Sequence, residues 1–84
     1  MGLSGTIPAE IEALSLLTHL DLSHNRLSGE LPSELGNIKS LRKLYLHKNF
    51  FSGLLPPSLS NLKALMLLDI REQKGLGFII PTSR

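Results

Sequence analysis

The chain has 84 residues, a formal net charge of +2 and no cysteine. This length predicts one domain spanning residues 1–84, and the lack of cysteine excludes disulfides, thiolate metal sites and a cysteine nucleophile. The basic residues are scattered and aromatic residues are few, so we expect no nucleic-acid partner. No apolar run reaches the ~18 residues of a membrane span, so we expect no membrane insertion by this segment.

The chain repeats itself with a 24-residue period. Residues 1–13 correspond to the back half of a repeat, because Leu3–Pro8 aligns with 27–32 and again with 51–56. Full repeats follow at 14–37 and 38–61, and a degenerate last repeat covers 62–84. A fixed period of this size indicates a solenoid.

The front half of each repeat predicts a short strand. In the segment 41–49, Leu44 and Leu46 alternate with outward positions, so one face of the strand is buried and the other exposed. The pattern L-x-x-L-x-L-x-x-N recurs at 17–25 and, with a changed end, at 65–73. We expect a structural column where the chain leaves each strand, because side-chain amides there can bond backbone groups of two coils. Its members are Asn25, Asn49 and Gln73.

The back half of each repeat carries the segment Ser-Gly-x-Ile/Leu-Pro, followed by one helical turn. Gly29 and Gly53 permit a bend or a close backbone approach, and the proline ends strand pairing. Helical turns are expected at 32–36 and 57–60, with Gly36 favouring the end of the first. Six aliphatic residues share the inward register of these turns: Ile11, Leu35, Leu59, Leu14, Ile38 and Leu62.

The last repeat departs from the period. Gln73 replaces the asparagine, and Leu76–Pro81 matches 27–32 at an offset of 49 rather than 48. This indicates one inserted residue around 71–75, which a loop tolerates. This shift in the repeat register puts the second strand of the last coil in doubt and leaves Phe78, Ile79 and Ile80 as an apolar edge.

Together these motifs closely resemble the plant-type leucine-rich repeat, whose 24-residue form occurs in ectodomains of receptor-like kinases and receptor-like proteins. The resemblance implies an α/β repeat solenoid. It would be a short, uncapped, right-handed superhelix with a concave parallel sheet of about three strands and a second, smaller sheet.

The outward strand positions form three columns across the coils. We call these nine residues the strand face and expect them to form the concave, ligand-binding surface. They are His19, Asp21, Ser23, Lys43, Tyr45, His47, Leu67, Asp69 and Arg71. Tyrosine and arginine are residue types that dominate interface energetics.

Three arrangements of residues on this surface resemble catalytic or metal-binding sites, but each lacks a feature that such a site needs. Asp21 and Asp69, about 10 Å apart across two strand spacings, resemble a carboxylate pair, but an open face does not desolvate them. His24 and His47 lack a third metal ligand, and Ser23, His19 and Asp21 lack an oxyanion hole. We therefore predict no catalytic residue, no metal and no cofactor.

The resemblance implies a non-catalytic module that binds a protein, peptide or glycan and contacts neighbouring repeats of a longer array. It would belong to the ectodomain of a receptor-like protein or kinase in signalling, at the extracellular face of the plasma membrane or secreted. The alternatives are a secreted inhibitor of cell-wall-degrading enzymes and a free-standing structural or interaction repeat protein.

Overall fold

The computed structural model describes residues 2–75 and 77–79. Strands and short helices alternate along these residues. The strands are β1 (Ser4–Gly5), β2 (His19–Asp21), β3 (Arg26–Gly29), β4 (Lys43–Tyr45), β5 (Phe50–Leu54), β6 (Leu67–Asp69) and β7 (Gly77–Ile79). The helices are 3₁₀ helices at Ala9–Ala13, Ser33–Asn37 and Pro57–Asn61.

The strands form two parallel sheets. Each coil contributes a strand to the first sheet, then a turn, then a strand to the second sheet. One sheet has the order β2-β4-β6 and pairs Leu20 with Leu44 and Leu44 with Leu68, so equivalent residues of successive coils lie side by side. This confirms the expected three-stranded parallel sheet and the solenoid. The division into repeats at 14–37, 38–61 and 62–84 stays a prediction.

The second sheet has the order β1-β3-β5-β7, and its register differs from the repeat period. Ser4 pairs with Arg26 and Ser28 with Phe50, so the paired residue numbers differ by 22. Ser52 pairs with Gly77, where the difference is 25. Each short strand is therefore shifted along its neighbour, while the strands of the first sheet stay level. The resemblance implied this sheet but not its register.

Each helical segment is a single 3₁₀ turn that begins after a proline. Pro8, Pro32 and Pro56 hold the extended dihedrals of the residue preceding each helix, and bonds from residue i to i−3 close the turn. The prediction that Gly36 ends its helix is wrong. Gly36 lies inside Ser33–Asn37 and is buried, and a Cβ there would collide with the backbone carbonyl of Ser58 in the next coil. Glycine is needed because adjacent coils touch at this point.

The core lies along residues 35–51, which we call the central coil. Its fully buried apolar residues are Leu35, Ile38, Leu41, Leu44, Leu46 and Phe51. Leu20 and Leu68, their neighbours in the first and last coils, are half-buried and pack against this core. The central coil is covered on both sides, whereas each outer coil has one neighbour within the described residues. For the same reason Leu14, which shares the inward register, is 47% exposed.

The last coil keeps the period as far as Gln73. His24, Lys48 and Glu72 all have positive φ, between 58° and 59°, and follow one another at the 24-residue spacing of the repeat. Beyond Gln73 the pairing changes, because Ser52 pairs with Gly77 at an offset of 25 instead of 22. Gly77 nevertheless has a positive φ at the 24-residue spacing from Gly53, so the inserted residue around 71–75 stays a prediction. The second strand of this coil, which the sequence put in doubt, is present, because β7 pairs with β5.

An aromatic contact holds β7 in place. The ring of Phe78 stacks on that of Phe51, with centroids 5.9 Å apart. Ile79 is 62% exposed on the same strand, and Ile80 lies outside the described residues. In the part of the chain that is described, the helices are all too short and too polar to cross a membrane.

Candidate functional site: the strand face

The structure brings the nine residues of the strand face together as three rows of three. Paired residues of β2, β4 and β6 form the rows His19, Lys43, Leu67 and Asp21, Tyr45, Asp69. The third row, Ser23, His47 and Arg71, follows the strand ends. There the hydrogen-bond ladder continues, with Leu22 N–H donating to the Tyr45 carbonyl at 2.9 Å and Leu46 N–H to that of Asp69 at 2.8 Å. Ligand binding by these residues stays a prediction.

Asp69 is paired with a guanidinium group of its own coil. Arg71 donates from Nε to Asp69 Oδ1 at 2.9 Å and from Nη2 to Oδ2 at 2.8 Å, a bidentate fork. This hydrogen bonding, with help from the backbone N–H and the positive charge of Arg71, lowers the pKa of Asp69 to about 2. The Asp69 side chain is 12% exposed, whereas that of Arg71 is 74% exposed.

Asp21, at the equivalent position two coils earlier, has a different partner. The Ser23 hydroxyl donates to Asp21 Oδ1 at 2.6 Å, and the Ser23 backbone N–H donates to the same oxygen at 3.0 Å. These two bonds, the hydroxyl bond first, hold the pKa of Asp21 below its usual range. Asp21 therefore remains an exposed carboxylate anion at neutral pH.

Three rings run from the centre of the strand face to its edge. Tyr45 and His47 lie edge to face with centroids 6.1 Å apart, and His47 and His24 do so at 5.2 Å. His47 Nδ1 is buried and has no hydrogen bond among the described residues, with Asp69 Oδ2 3.4 Å away. The contact between the histidines comes from the coil stack, because His47 lies beside the turn that carries His24.

The amide column lies beneath this surface. Asn49 is fully buried; it accepts from Leu27 N–H at 3.0 Å and donates to carbonyls of two coils, Leu22 at 2.8 Å and Leu46 at 3.2 Å. Gln73 repeats this geometry one coil later, accepting from Phe51 N–H at 3.0 Å and donating to the Leu46 carbonyl at 2.9 Å. The additional methylene of glutamine therefore does not displace the amide.

Asn25 serves the first coil in the same way. Its Oδ1 accepts from the backbone N–H groups of Gly2 and Leu3 at 3.1 and 3.0 Å, and its Nδ2 donates to the Leu22 and Ser23 carbonyls. Because Gly2 and Leu3 are exposed, water competes for these bonds, unlike those of Asn49.

The geometry separates the groups of each catalytic arrangement. Tyr45 stands between Asp21 and Asp69 in the register, and both carboxylates have lowered rather than raised pKa values. His19 Nδ1 lies 3.0 Å from Thr18 Oγ1, while Ser23 donates to Asp21, so these residues do not form a triad. Among residues 2–75 and 77–79, no three histidine, aspartate or glutamate side chains come close enough to hold a metal ion.

Sequence reasoning missed a polar cavity beside the strand face. It measures about 530 Å³ and is lined by the turn residues His24, Lys48, Glu72, Gln73 and Lys74. Lys48 and Glu72 form an ion pair across it at 3.5 Å, and Lys74 Nζ lies 5.9 Å from the Phe50 ring centroid. The 24-residue spacing of residues 24, 48 and 72 could have revealed this row, because equivalent turns stack.

Known proteins share both the sequence pattern and the fold. The family model for the leucine-rich repeat matches residues 16–38 and 40–62, more than half of the chain. No curated protein matches the chain.

Solved structures of Arabidopsis thaliana receptor ectodomains are similar to this chain. The leucine-rich-repeat ectodomain of the plant membrane receptor kinase GASSHO1/SCHENGEN3, in complex with CASPARIAN STRIP INTEGRITY FACTOR 2, is 47% identical over 83% of this chain, with a TM-score of 0.81. The ectodomain of the receptor kinase SOBIR1 is 42% identical over 86% of this chain, with a TM-score of 0.81.

A third example is the receptor kinase HAESA in complex with the peptide hormone IDA and the co-receptor SERK1. It is 39% identical over 81% of this chain, with a TM-score of 0.78. The match spans 8% of the GASSHO1/SCHENGEN3 chain, 40% of the SOBIR1 chain and 12% of the HAESA complex chain. On the two repeats that the model matches and on these similarities, the chain belongs to the leucine-rich-repeat family.

Proposed function

We propose that this chain is a ligand-binding segment of a plant receptor ectodomain and that it binds a peptide or protein through the strand face. The observation that carries the proposal is the 47% identity to the GASSHO1/SCHENGEN3 ectodomain, a structure determined with CASPARIAN STRIP INTEGRITY FACTOR 2 bound. The HAESA complex with a peptide hormone and a co-receptor supports the same role. The segment would then act at the extracellular face of the plasma membrane or in a secreted protein.

The chemistry of the strand face suits protein recognition. Tyr45 presents a half-buried ring at its centre, with the cation Lys43 on the same strand and Leu67, 40% exposed, on the next. A partner of standard size covers about 800 Å² on each side. That is a modest share of the 5304 Å² accessible surface, so these rows can form the centre of such an interface.

We infer that the segment acts by binding rather than by catalysis. A general acid needs a raised pKa, which burial supplies, whereas the carboxylates of Asp21 and Asp69 have lowered pKa values. Both are therefore anions at neutral pH.

Selection of peptides on the immobilised chain tests the proposal. Peptides from a random seven-residue display library would be selected, synthesised, and their dissociation constants measured by fluorescence anisotropy. We expect Tyr45→Ala to weaken binding at least about tenfold, the loss typical of a central interface residue, with an unchanged circular dichroism spectrum. Lys39→Ala, an exposed change in the turn after the second helix, is the control and should leave the affinity unchanged.

Two outcomes would overturn the proposal: a library that yields no binding peptide, or peptides that bind the Tyr45→Ala variant as tightly as the original chain. A complex with a cell-wall-degrading enzyme such as a polygalacturonase, together with failure to select peptides, would instead favour the alternative of a secreted inhibitor.

A further inference from the structure

The two aspartates of the strand face occupy equivalent positions but differ in how fully they are bonded. Both oxygens of Asp69 accept from the guanidinium of Arg71. At Asp21 the residue two positions later is Ser23, and both of its hydrogen bonds end on Oδ1. Among the described residues, none donates a hydrogen bond to Asp21 Oδ2.

Tyr45 is the neighbour of Asp21 on the adjacent strand. The two residues are register partners on β2 and β4, which places their backbones about 4.8 Å apart, with both side chains on the strand face. An aromatic face attracts a cation, and arginine in particular stacks on tyrosine while its N–H groups pair with a carboxylate. Carboxylate and ring together therefore offer both contacts that a guanidinium makes.

We propose that Asp21 and Tyr45 form a subsite for one basic side chain, preferably arginine, of an extended peptide ligand. The inference rests on the proposed function and specifies the ligand's chemistry. The Arg71 fork on Asp69 is the same interaction made within the chain, so the sheet already shows how a guanidinium docks on an aspartate in this row. The ligand supplies at Asp21 the cation that Arg71 supplies at Asp69.

The surroundings restrict the subsite to a single cation. Lys43 lies one outward position from Tyr45 on β4 and would repel a second basic side chain placed towards it. His24 and His47 both interact electrostatically with Asp21. Because the pKa of Asp21 is lowered, its charge is present throughout the neutral range.

The test uses the same seven-residue display library and compares two isosteric variants. Asp21→Asn removes the charge and keeps an oxygen that can accept from Ser23. Glu10→Gln makes the same change at an exposed carboxylate of the Ala9–Ala13 helix, outside the strand face. We expect the original chain to select peptides enriched in arginine. Asp21→Asn should weaken a selected peptide about tenfold, the loss expected for a charge-assisted hydrogen bond, and Glu10→Gln less than about twofold.

A second measurement replaces the arginine of the selected peptide with citrulline, its neutral isostere. Citrulline should weaken binding to the original chain and make little further difference with Asp21→Asn, because both changes remove the same charge pair. Selected peptides without basic residues, or equal losses for Asp21→Asn and Glu10→Gln, would overturn the subsite. If Tyr45→Ala still weakens those peptides, the proposed function survives; if it does not, both fail.

Discussion

Replacing Asn49 with alanine tests whether the buried amide column holds the coils together. Asn49 is fully buried and is the partner of the Leu27 N–H group, at 3.0 Å. Asn49 Nδ2 donates to three carbonyls, those of Leu22, Leu46 and His47. Each has another donor: Asn25 Nδ2 for Leu22 O, Gln73 Nε2 for Leu46 O and the His24 backbone N–H for His47 O. Alanine therefore leaves one buried donor without a partner and weakens the bonding of three acceptors.

The expected loss of stability follows from these hydrogen bonds. An orphaned buried N–H costs about 1–3 kcal/mol, and the lost bonds to the carbonyls bring the expected total to about 2–4 kcal/mol. A domain of this length has a free energy of unfolding of about 4–13 kcal/mol, so the loss is a large share. For a domain of this size, the lower figure corresponds to a melting temperature lower by about 8–16 °C.

Asn25→Ala is the matched control, because the residue type and the place in the repeat are the same. Its acceptor serves exposed N–H groups that water can satisfy, so we expect a loss below about 1 kcal/mol. Lys48→Ala, an exposed neighbour of Asn49, should also have little effect. Unfolding in urea followed by circular dichroism measures all three variants, and equal midpoints for Asn49→Ala and Asn25→Ala would refute the reasoning.

Three further variants probe contacts that the fold depends on. Gly36→Ala should lower the free energy of unfolding by about 1–3 kcal/mol, because its Cβ collides with the next coil, whereas Gly2→Ala, with open space around it, should not. Phe51→Ala should cost about 3–5 kcal/mol, since the ring is fully buried, and Phe50→Ala, 42% exposed, much less. The folded pKa of Asp69 lies below its unfolded value, so its charge stabilises the fold above about pH 4 and that stability is lost as the pH falls towards 2. Asp69→Asn should therefore flatten the decline in melting temperature across that interval.

Each of these expectations has a contradicting result in the same melts. Equal stability of the two glycine variants would show that the coils can move apart without cost. Equal effects of the two phenylalanine variants would place Phe51 outside the core. If Asp69→Asn leaves the decline in melting temperature at acid pH unchanged, the pH dependence arises from other carboxylates.

The sequence by itself determined the elements that repeat. The alternation around Leu44 and the 24-residue period predict parallel strands in register, and the sheet pairs Leu20, Leu44 and Leu68 as neighbours. The same period identifies the three rows of the strand face and the amide column at Asn49 and Gln73. These features depend on spacing alone, because every coil must place the same atoms at the same depth when coils stack.

Only the tertiary structure decided what depends on contacts between coils. Gly36 is needed because Ser58 approaches from the next coil, and Leu14 is exposed because its coil is covered on one side. The register of the second sheet is likewise set between coils, where short strands pair out of step with the repeat. The repeat pattern in the sequence gives each residue its place within a coil. It gives neither the distance between coils nor the residue of the next coil that packs there.

The strand face also depends partly on the sequence pattern and partly on the tertiary structure. The period placed Asp21 and Asp69 in one row, yet the residues two positions later, Ser23 and Arg71, decide which carboxylate keeps an oxygen available. Side-chain geometry is what distinguishes them, because a hydroxyl reaches one oxygen while a guanidinium spans both.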